Sequence, residues 1–364
     1  MLAVIASIRK LEPNSEVLFV CSGKDYETSL LRHAEIEYKV VPSGKYRRYG
    51  RSVTRELMDI KTQFENIKDL PKIIKGYTYS RSIIRSYKPD VVFVKGGFVG
   101  LPVGFAASQM NVPLVIHESD AVMGKTNEIL SKRASIVAVS FPIEAYSRIS
   151  TEKLHFTGNP VRPEYMIAAE EGAETTDKQK PNILIFAGSQ GAQAINKAVF
   201  DDLELLLKNF NLLHVAGERE VERARFLRHR LPSELKKSYE PYSFLTDEML
   251  AAYRWADIVV SRAGMNSLSE LAALAKPAIV IPLPSSTNNH QMVNAQILAR
   301  MGAIRLIKQD ELTGVKLSAE LSKLANDHSA RNYLSNSIRK FYKPDAAAEI
   351  ARLVIDQASK GDKS

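Results

Sequence analysis

Cysteine is nearly absent, since Cys21 is the only one in 364 residues. A lone thiol excludes an internal disulfide and leaves no spacing for structural zinc, so a reducing, cytoplasmic setting fits best. Long apolar runs are missing too. The stretch from Val91 to Ala107 is broken by Lys95 and several glycines and falls short of the roughly 20 residues that span a bilayer. The opening, Met1 to Lys10, has its basic residues after a short apolar run and no small-residue cleavage site, unlike a signal peptide. His33, His155, His214, His229 and His328 stand in unlike contexts and no Asp-x-Asp pair occurs near them, so neither a metal nor another cofactor is expected. RNA-recognition signatures, zinc fingers and basic stripes interleaved with aromatics are lacking, and nucleic acid is not an expected partner.

What is present describes a folded chain. Hydrophobic residues make up 45% and charged residues 25%, too apolar for a disordered protein. The length suits two domains of about 100–200 residues each. A net charge of +9 favours an anionic partner, in general a nucleic acid, an acidic membrane surface or a phosphorylated substrate. Leu2, Ile5, Ile8 and Leu11 share one stripe, so residues 2–11 read as a helix with no capping side chain before it. Short β-branched runs at Glu16–Val20, Val91–Val94, Pro113–His117, Ile136–Ser140, Asn182–Phe186, Leu212–Ala216, Ile258–Ser261 and Ala278–Pro282 alternate with amphipathic stretches. That alternation is the pattern of parallel α/β architecture. Glu164 to Pro181, rich in Glu, Ala, Thr, Asp, Lys and Gln, reads as an exposed linker. The expectation is two doubly wound, Rossmann-like domains facing a cleft. They cover residues 1–163 and 182–340, with the linker 164–181 between them and a C-terminal helix in 341–364 packing back on the first domain.

In such folds ligands sit at the carboxyl ends of the strands. Ile183 to Asn196 reads as a strand, a small-residue turn around Gly188 and Gly191, and a helix start whose free N–H groups suit a phosphate. The glycines serve a tight turn equally well. Ser261 to Leu274 repeats the pattern through Gly264, with Asn266 or Ser267 available as cap and Glu270 expected in the first helical turn. There Glu270 either complements the helix dipole or accepts hydrogen bonds from ribose hydroxyls. Pro282 to Ala295 then gathers amides and small polar groups able to read an uncharged, hydroxyl-rich ligand. His290 within it reads as a packed or capping group.

Seven strings occur in order along the chain: Ser43-Gly-Lys-Tyr-Arg-Arg-Tyr49, Lys95-Gly-Gly-Phe-Val99, His117-Glu-Ser-Asp120 with Gly124 and Asn127, Gly158-Asn-Pro-Val-Arg162, Gly188-Ser-Gln-Gly-Ala192, Ser261-Arg-Ala-Gly264 with Ser269-Glu270, and His290-Gln-Met-Val-Asn-Ala295. Together they resemble the MurG family, peptidoglycan-precursor N-acetylglucosaminyltransferases of the two-domain GT-B type that require no metal. The resemblance implies transfer of N-acetylglucosamine from UDP-N-acetylglucosamine to the C4 hydroxyl of a polyprenyl-diphosphate-linked muramoyl-pentapeptide. The enzyme would work on an anionic membrane surface, as a peripheral protein of the cytoplasmic face.

The resemblance places Leu245 near uracil and Glu270 on ribose. It gives the diphosphate to Ser189 and the turn of Met265, Asn266 and Ser267, and the sugar to Gln291 and Asn294, with Leu268 and Ser269 also among the substrate-binding residues and Arg162 near the cleft floor. Asp120 is either the base for the acceptor hydroxyl or a structural hydrogen-bond acceptor, and His117 and Glu118 share that ambiguity. Family members open with a strand and a Gly-Gly-Thr-Gly-Gly-His loop, whereas this chain starts in the following helix. The first strand of the N-terminal domain is therefore expected to be missing. The alternatives are a UDP-sugar enzyme with another lipid acceptor, a UDP-N-acetylglucosamine 2-epimerase, which the Ser-Gly-Lys-x-Arg-Arg segment disfavours, and a non-catalytic UDP-N-acetylglucosamine-binding subunit.

Overall fold

The computed structural model describes residues 1–44, 60–171, 180–187 and 193–361. The chain divides into two units, one formed by Met1–Pro160 with Asp345–Ser364 and one by Val161–Pro344.

In the first unit, helix α1 (Leu2–Leu11) precedes strand β1 (Leu18–Cys21), helix α2 (Asp25–His33) and strand β2 (Glu37–Val40). Helix α3 (Ile60–Tyr87) leads to β3 (Val92–Val94), α4 (Gly97–Gln109), β4 (Leu114–Glu118), α5 (Lys125–Ser131), β5 (Ile136–Val139) and β6 (Leu154–Phe156). Every pairing is parallel. The strands form a two-stranded sheet, β1-β2, and a four-stranded sheet ordered β3-β4-β5-β6. All side chains of β4 and β5 are buried, as expected for central parallel strands covered on both faces. Gly100 and Gly104 let α4 sit close, because a Cβ would lie 2.7 Å from Val94 at the first and 2.7 Å from Leu130 at the second.

No side chain caps α1, and its apolar residues divide between two clusters instead of forming one stripe. Val4 and Ile8 join Val115, Ile136, Ala138 and the C-terminal helix Ala346–Gly361 through Ile350, Ala351 and Val354. Leu2 and Ile5 join Cys21, Leu31 and Ile36. Leu11 is left exposed.

The second unit opens with α6 (Pro163–Glu171). The stretch expected to begin an exposed linker is thus helical in its first half, with Tyr165, Ala168 and Ala169 buried at helical spacing. Glu171 pairs with Arg254, and Arg339 donates to the Ala169 carbonyl. The rest of the expected linker, from residue 172 to 179, lies outside the described residues.

There follow β7 (Asn182–Phe186), α7 (Gln193–Asp201), α8 (Leu203–Asn209), β8 (Asn211–Val215), α9 (Val221–Arg230), α10 (Ser233–Lys236), β9 (Tyr239–Tyr242), α11 (Met249–Trp255), β10 (Ile258–Ser261), α12 (Met265–Ala273), β11 (Ala278–Val280), α13 (His290–Arg300), β12 (Arg305–Leu306), α14 (Gly314–Asn326) and α15 (His328–Arg339). The six-stranded parallel sheet runs β12-β11-β10-β7-β8-β9, which is the doubly wound order with its switch point between β7 and β10. Ile183, Ile185, Ile258, Val260, Ile279 and Ile281 alternate along three neighbouring strands and meet Leu317 and Leu321 of α14. Each such aliphatic side chain contributes about 1.5–3 kcal/mol by leaving water. The strand ends that carry polar groups are therefore held on a rigid floor.

Candidate active site

In the first unit, polar groups gather where β3 to β6 end. Lys95 follows β3, and its ammonium donates to Asn159 Oδ1 at 3.2 Å, an oxygen that also accepts from Ser119 Oγ at 3.2 Å. Burial lowers the lysine to about 8, a shift that the Glu118 and Asp120 charges oppose. The sequence signal for Lys95 was its place as the one charge inside an apolar stretch.

His117 is 1% exposed. Its Nε2 lies 3.1 Å from the Gly158 carbonyl and 3.2 Å from Ser140 Oγ. A carbonyl can only accept, so Nε2 carries the proton and Nδ1, which has no partner, is a buried lone pair. Burial, reinforced by Lys95, lowers this imidazole to about 3. It is neutral at physiological pH and a poor base.

Glu118 uses both oxygens on its own neighbourhood. Oε1 accepts from Asp120 N at 3.0 Å, while Oε2 accepts from Gly124 N at 2.8 Å and from Asn127 Nδ2 at 2.9 Å. Its pKa is nonetheless raised, because burial outweighs those three donors. Tyr146 completes the loop by donating to the Asp120 carbonyl at 2.9 Å. Asp120 is thereby held at both its backbone N–H and its C=O, with its side chain half-buried.

The second unit builds its site from turns and neutral groups. Helix α12 starts at Met265 with Gly264 as N-cap, and no side chain caps it. Neither Asn266 nor Ser267 performs that role. The N–H groups of its first turn therefore face an approach that an anion can use, and a Cβ at Gly264 would meet nothing within 4 Å. Because α12 starts so late, Glu270 lies in its second turn. The dipole effect fades within the first, so the dipole account of Glu270 does not apply.

The glutamate is oriented by other groups. Tyr253, fully buried, donates to Glu270 Oε2 at 3.0 Å, and Arg162 approaches Oε1 at 4.0 Å. Arg162 also pairs with Glu164 at 3.1 Å and donates to Tyr165 OH at 2.7 Å, its guanidinium lying over the Tyr165 ring. Burial raises the Glu270 pKa, with Tyr253 and Arg162 opposing the shift. Tyr253 was invisible in the sequence, where it is one aromatic in a helix.

The loop after β11 is tied down by amides. Gln291 Oε1 accepts from Leu283 N at 3.0 Å, and Gln291 N donates to Ser286 Oγ at 3.3 Å. Asn294 is fully buried, its Nδ2 donating to the Ala263 carbonyl at 3.3 Å. Asn288 and Asn289 both adopt left-handed backbone, φ 52° and 57°, a conformation that asparagine tolerates better than most side chains. Leu245 is buried, Leu268 fully so, and Ser269 Oγ donates to the Met265 carbonyl at 2.8 Å. Met265 is also buried, whereas Asn266 is exposed. Ser189, with Gly188 and Gly191, lies outside the described residues, as do Lys45 to Tyr49. Among the described residues no three His, Cys, Asp or Glu side chains gather to hold a metal ion.

Two parallel α/β units, one with an open helix N-terminus at its switch point, define a two-domain glycosyltransferase of the GT-B type. The glycosyltransferase family 28 C-terminal domain matches residues 182–350 and the family's N-terminal domain matches residues 1–139. A Listeria monocytogenes serotype 4b protein is 34% identical over 358 residues, 97% of this chain and 94% of its own length. Its name is UDP-N-acetylglucosamine--N-acetylmuramyl-(pentapeptide) pyrophosphoryl-undecaprenol N-acetylglucosamine transferase, and the Bacillus subtilis strain 168 protein of the same name is 31% identical over 358 residues, covering 96% of this chain and 93% of its own length. The crystal structure of Acinetobacter baumannii MurG superposes with a TM-score of 0.73 at 25% identity, covering 98% of this chain and 96% of that one. The chain belongs to the MurG family within glycosyltransferase family 28.

Proposed function

We propose that this protein transfers N-acetylglucosamine from UDP-N-acetylglucosamine to the C4 hydroxyl of undecaprenyl-diphospho-N-acetylmuramoyl-pentapeptide, with inversion at the anomeric carbon. The observation that carries the reading is the uncapped N-terminus of α12 at the switch point, with Glu270 held a turn and a half further on. The helix N–H groups suit the donor diphosphate, and Glu270, oriented by Tyr253, suits the ribose hydroxyls. The loop from Leu283 to Asn289 with Gln291 and Asn294 reads the sugar, Asn294 acting by fixing the loop. The names of the full-length relatives support the substrate pair.

In the transfer, the C4 hydroxyl oxygen bonds to the anomeric carbon, the bond from that carbon to the phosphate oxygen breaks, and its electron pair leaves with UDP. The α12 N-terminus stabilises the departing charge, positioned in advance. We assign the hydroxyl proton to Asp120. The backbone of Asp120 is held from both sides, while His117 is too weak a base and Glu118 is occupied by three donors.

A polyprenyl acceptor stays in a bilayer, and no helix among the described residues is long and apolar enough to cross one. We place the protein peripherally on the cytoplasmic leaflet. The support is the outer side of α3, where Ile74 and Tyr79 are exposed among Lys72, Lys75, Arg81 and Arg85. Ile84 does not contribute, being core, and Ile73, Tyr77 and Ile83 are half-buried. Basic side chains near an anionic leaflet add about 1 kcal/mol each.

Purified protein supplied with UDP-N-acetylglucosamine and the lipid-linked acceptor tests the reading. The disaccharide product and UDP should appear in equal amounts. Donor binding without turnover would instead make this chain a binding subunit.

A further inference from the structure

Arg262 directly follows β10, is 8% exposed and has no carboxylate partner among the described residues. Its NH1 donates to the carbonyls of Ile281 at 3.0 Å and Pro282 at 3.3 Å, and its NH2 donates to Gln309 Oε1 at 2.7 Å. Burying a cation among neutral acceptors is costly, and that burial lowers this guanidinium to about 10. An apolar side chain would pack there at less expense, so the geometry that the fork provides is what needs explaining.

The bonds form a closed circuit. Arg262 holds residues 281 and 282 at the end of β11, and the next N–H, of Leu283, holds the Gln291 side chain. Helix α13 carries the chain from Gln291 to Asn294, and Asn294 returns to the carbonyl of Ala263, the residue after Arg262. Both loops that leave the carboxyl ends of β10 and β11 are thus locked into one body. None of the guanidinium bonds runs to the turn from Gly264 to Ser267. Its acceptors are Ile281, Pro282 and Gln309, so a change at the guanidinium bears first on the loop after β11, and the turn is joined to the circuit through Asn294 and the Ala263 carbonyl.

We propose that Arg262 is a positioning residue for sugar recognition, its two-nitrogen fork setting the height of the Leu283–Asn289 loop and of Gln291 relative to the Gly264 turn. A lysine ammonium in its place would be a point donor and could not serve carbonyls and amide from two faces at once. The inference rests on the reading that this loop meets the donor sugar.

The test is calorimetric affinity for UDP and for UDP-N-acetylglucosamine, measured on the full chain and on Arg262→Gln, Arg262→Lys, Gln309→Ala and Gln291→Ala, with melting followed in parallel. The ratio of the two affinities isolates the sugar. Arg262→Gln and Arg262→Lys should lower that ratio by roughly tenfold, with UDP itself bound nearly as before, and Gln309→Ala by a smaller factor in the same direction. If the arginine variants do not fold, Gln309→Ala alone decides, because it loosens one arm of the fork and removes no buried charge. An unchanged ratio in the Arg262 and Gln309 variants, or an equal loss for both ligands accompanied by lower melting, overturns the proposal. If Gln291→Ala also leaves the ratio unchanged, the loop does not read the sugar and the assignment beneath the proposal fails. If Gln291→Ala narrows the ratio while the others do not, only the role of Arg262 fails.

Discussion

Lys95, His117 and Glu118 close the strand ends of one unit, whereas Gly264, Arg262 and Asn294 close those of the other, and the two sets treat charge differently. In the first, burial moves three titratable groups away from their ordinary values: a lysine down to about 8, a histidine down to about 3 and a glutamate up. In the second, burial also moves Glu270 up and Arg262 down to about 10, but the charges have close neighbours, Glu270 in Tyr253 and Arg162, Arg162 in Glu164, and Arg262 in neutral acceptors, and they stand beside backbone N–H groups and amides at the strand ends. Perturbed titration suits proton handling and an open helix N-terminus suits holding a diphosphate, and on that basis the chemistry is proposed for the first unit and donor binding for the second.

The sharpest way to break that division is Asp120→Asn. Loss of a general base usually costs about 10²–10⁴-fold in rate, and here the loss should fall on turnover while calorimetric donor affinity stays unchanged. A parallel loss of donor affinity would show that the two roles are not separate. The converse variant, Glu270→Ala, should weaken UDP-N-acetylglucosamine by roughly tenfold, and Tyr253→Phe by a few-fold, since a single hydrogen bond contributes about 0.5–1.5 kcal/mol. If Tyr253→Phe binds like the parent, Glu270 is held by something other than the tyrosine.

A smaller effect should appear in stability. Lys95 is lowered to about 8 from the 10.5 it has when solvated, so the unfolded chain binds its proton more strongly and the fold bears a penalty whenever the ammonium is charged. Lys95→Met should therefore melt higher at neutral pH, by on the order of 1 kcal/mol, and lose activity. The gain should be full below about pH 8 and fade as the pH rises toward 10.5. A gain that persisted at pH 10.5 would locate its origin in packing.

A separate test concerns acid. His117 and His214 both sit near 3 in the fold against 6.5 in water, and His214 bridges Tyr239 OH and Asn196 Oδ1. Both are neutral in the folded state, so the unfolded chain gains protons first and stability falls as the pH drops below about 6.5. The slope should be about 1 kcal/mol per pH unit for each histidine. Melting curves between pH 7 and 5 should show it, and His214→Gln should flatten it by about half.

The architecture was legible in the sequence wherever strands are central. The eight apolar runs all correspond to strands within a residue or two; six of them are central strands, which are covered on both faces and so continuously apolar, while β1 and β3 lie at sheet edges yet kept an apolar run. The strands that escaped are β2, β6, β9 and β12, and each lies at the edge of its sheet, where side chains such as Glu37, Lys39 and Glu240 face water. Helix α6 was missed because two of its three buried residues are alanines, too small to stand out from a charged background. At the site, the loops were visible as glycine and amide runs. Their wiring was not, since nothing local in Gln291 or Asn294 says that an amide bonds to Leu283 or Ala263, or that α12 starts at Met265 and carries Glu270 into its second turn.

Helix α1 has a consequence for how the first unit breathes. One side of it belongs to the cluster around Cys21 and the other to the cluster around the C-terminal helix, so it is a party wall between two cooperative units of unequal strength. The β1-β2 ladder stands as a two-stranded sheet and is largely part-exposed, while β4 and β5 are fully buried within a four-stranded one. Local opening draws first on the weaker side. Amide exchange should therefore release the β1-β2 ladder well before the four-stranded sheet, with the amides of α1 following the slower of its two neighbours, so that the chain can lose one room without losing the house.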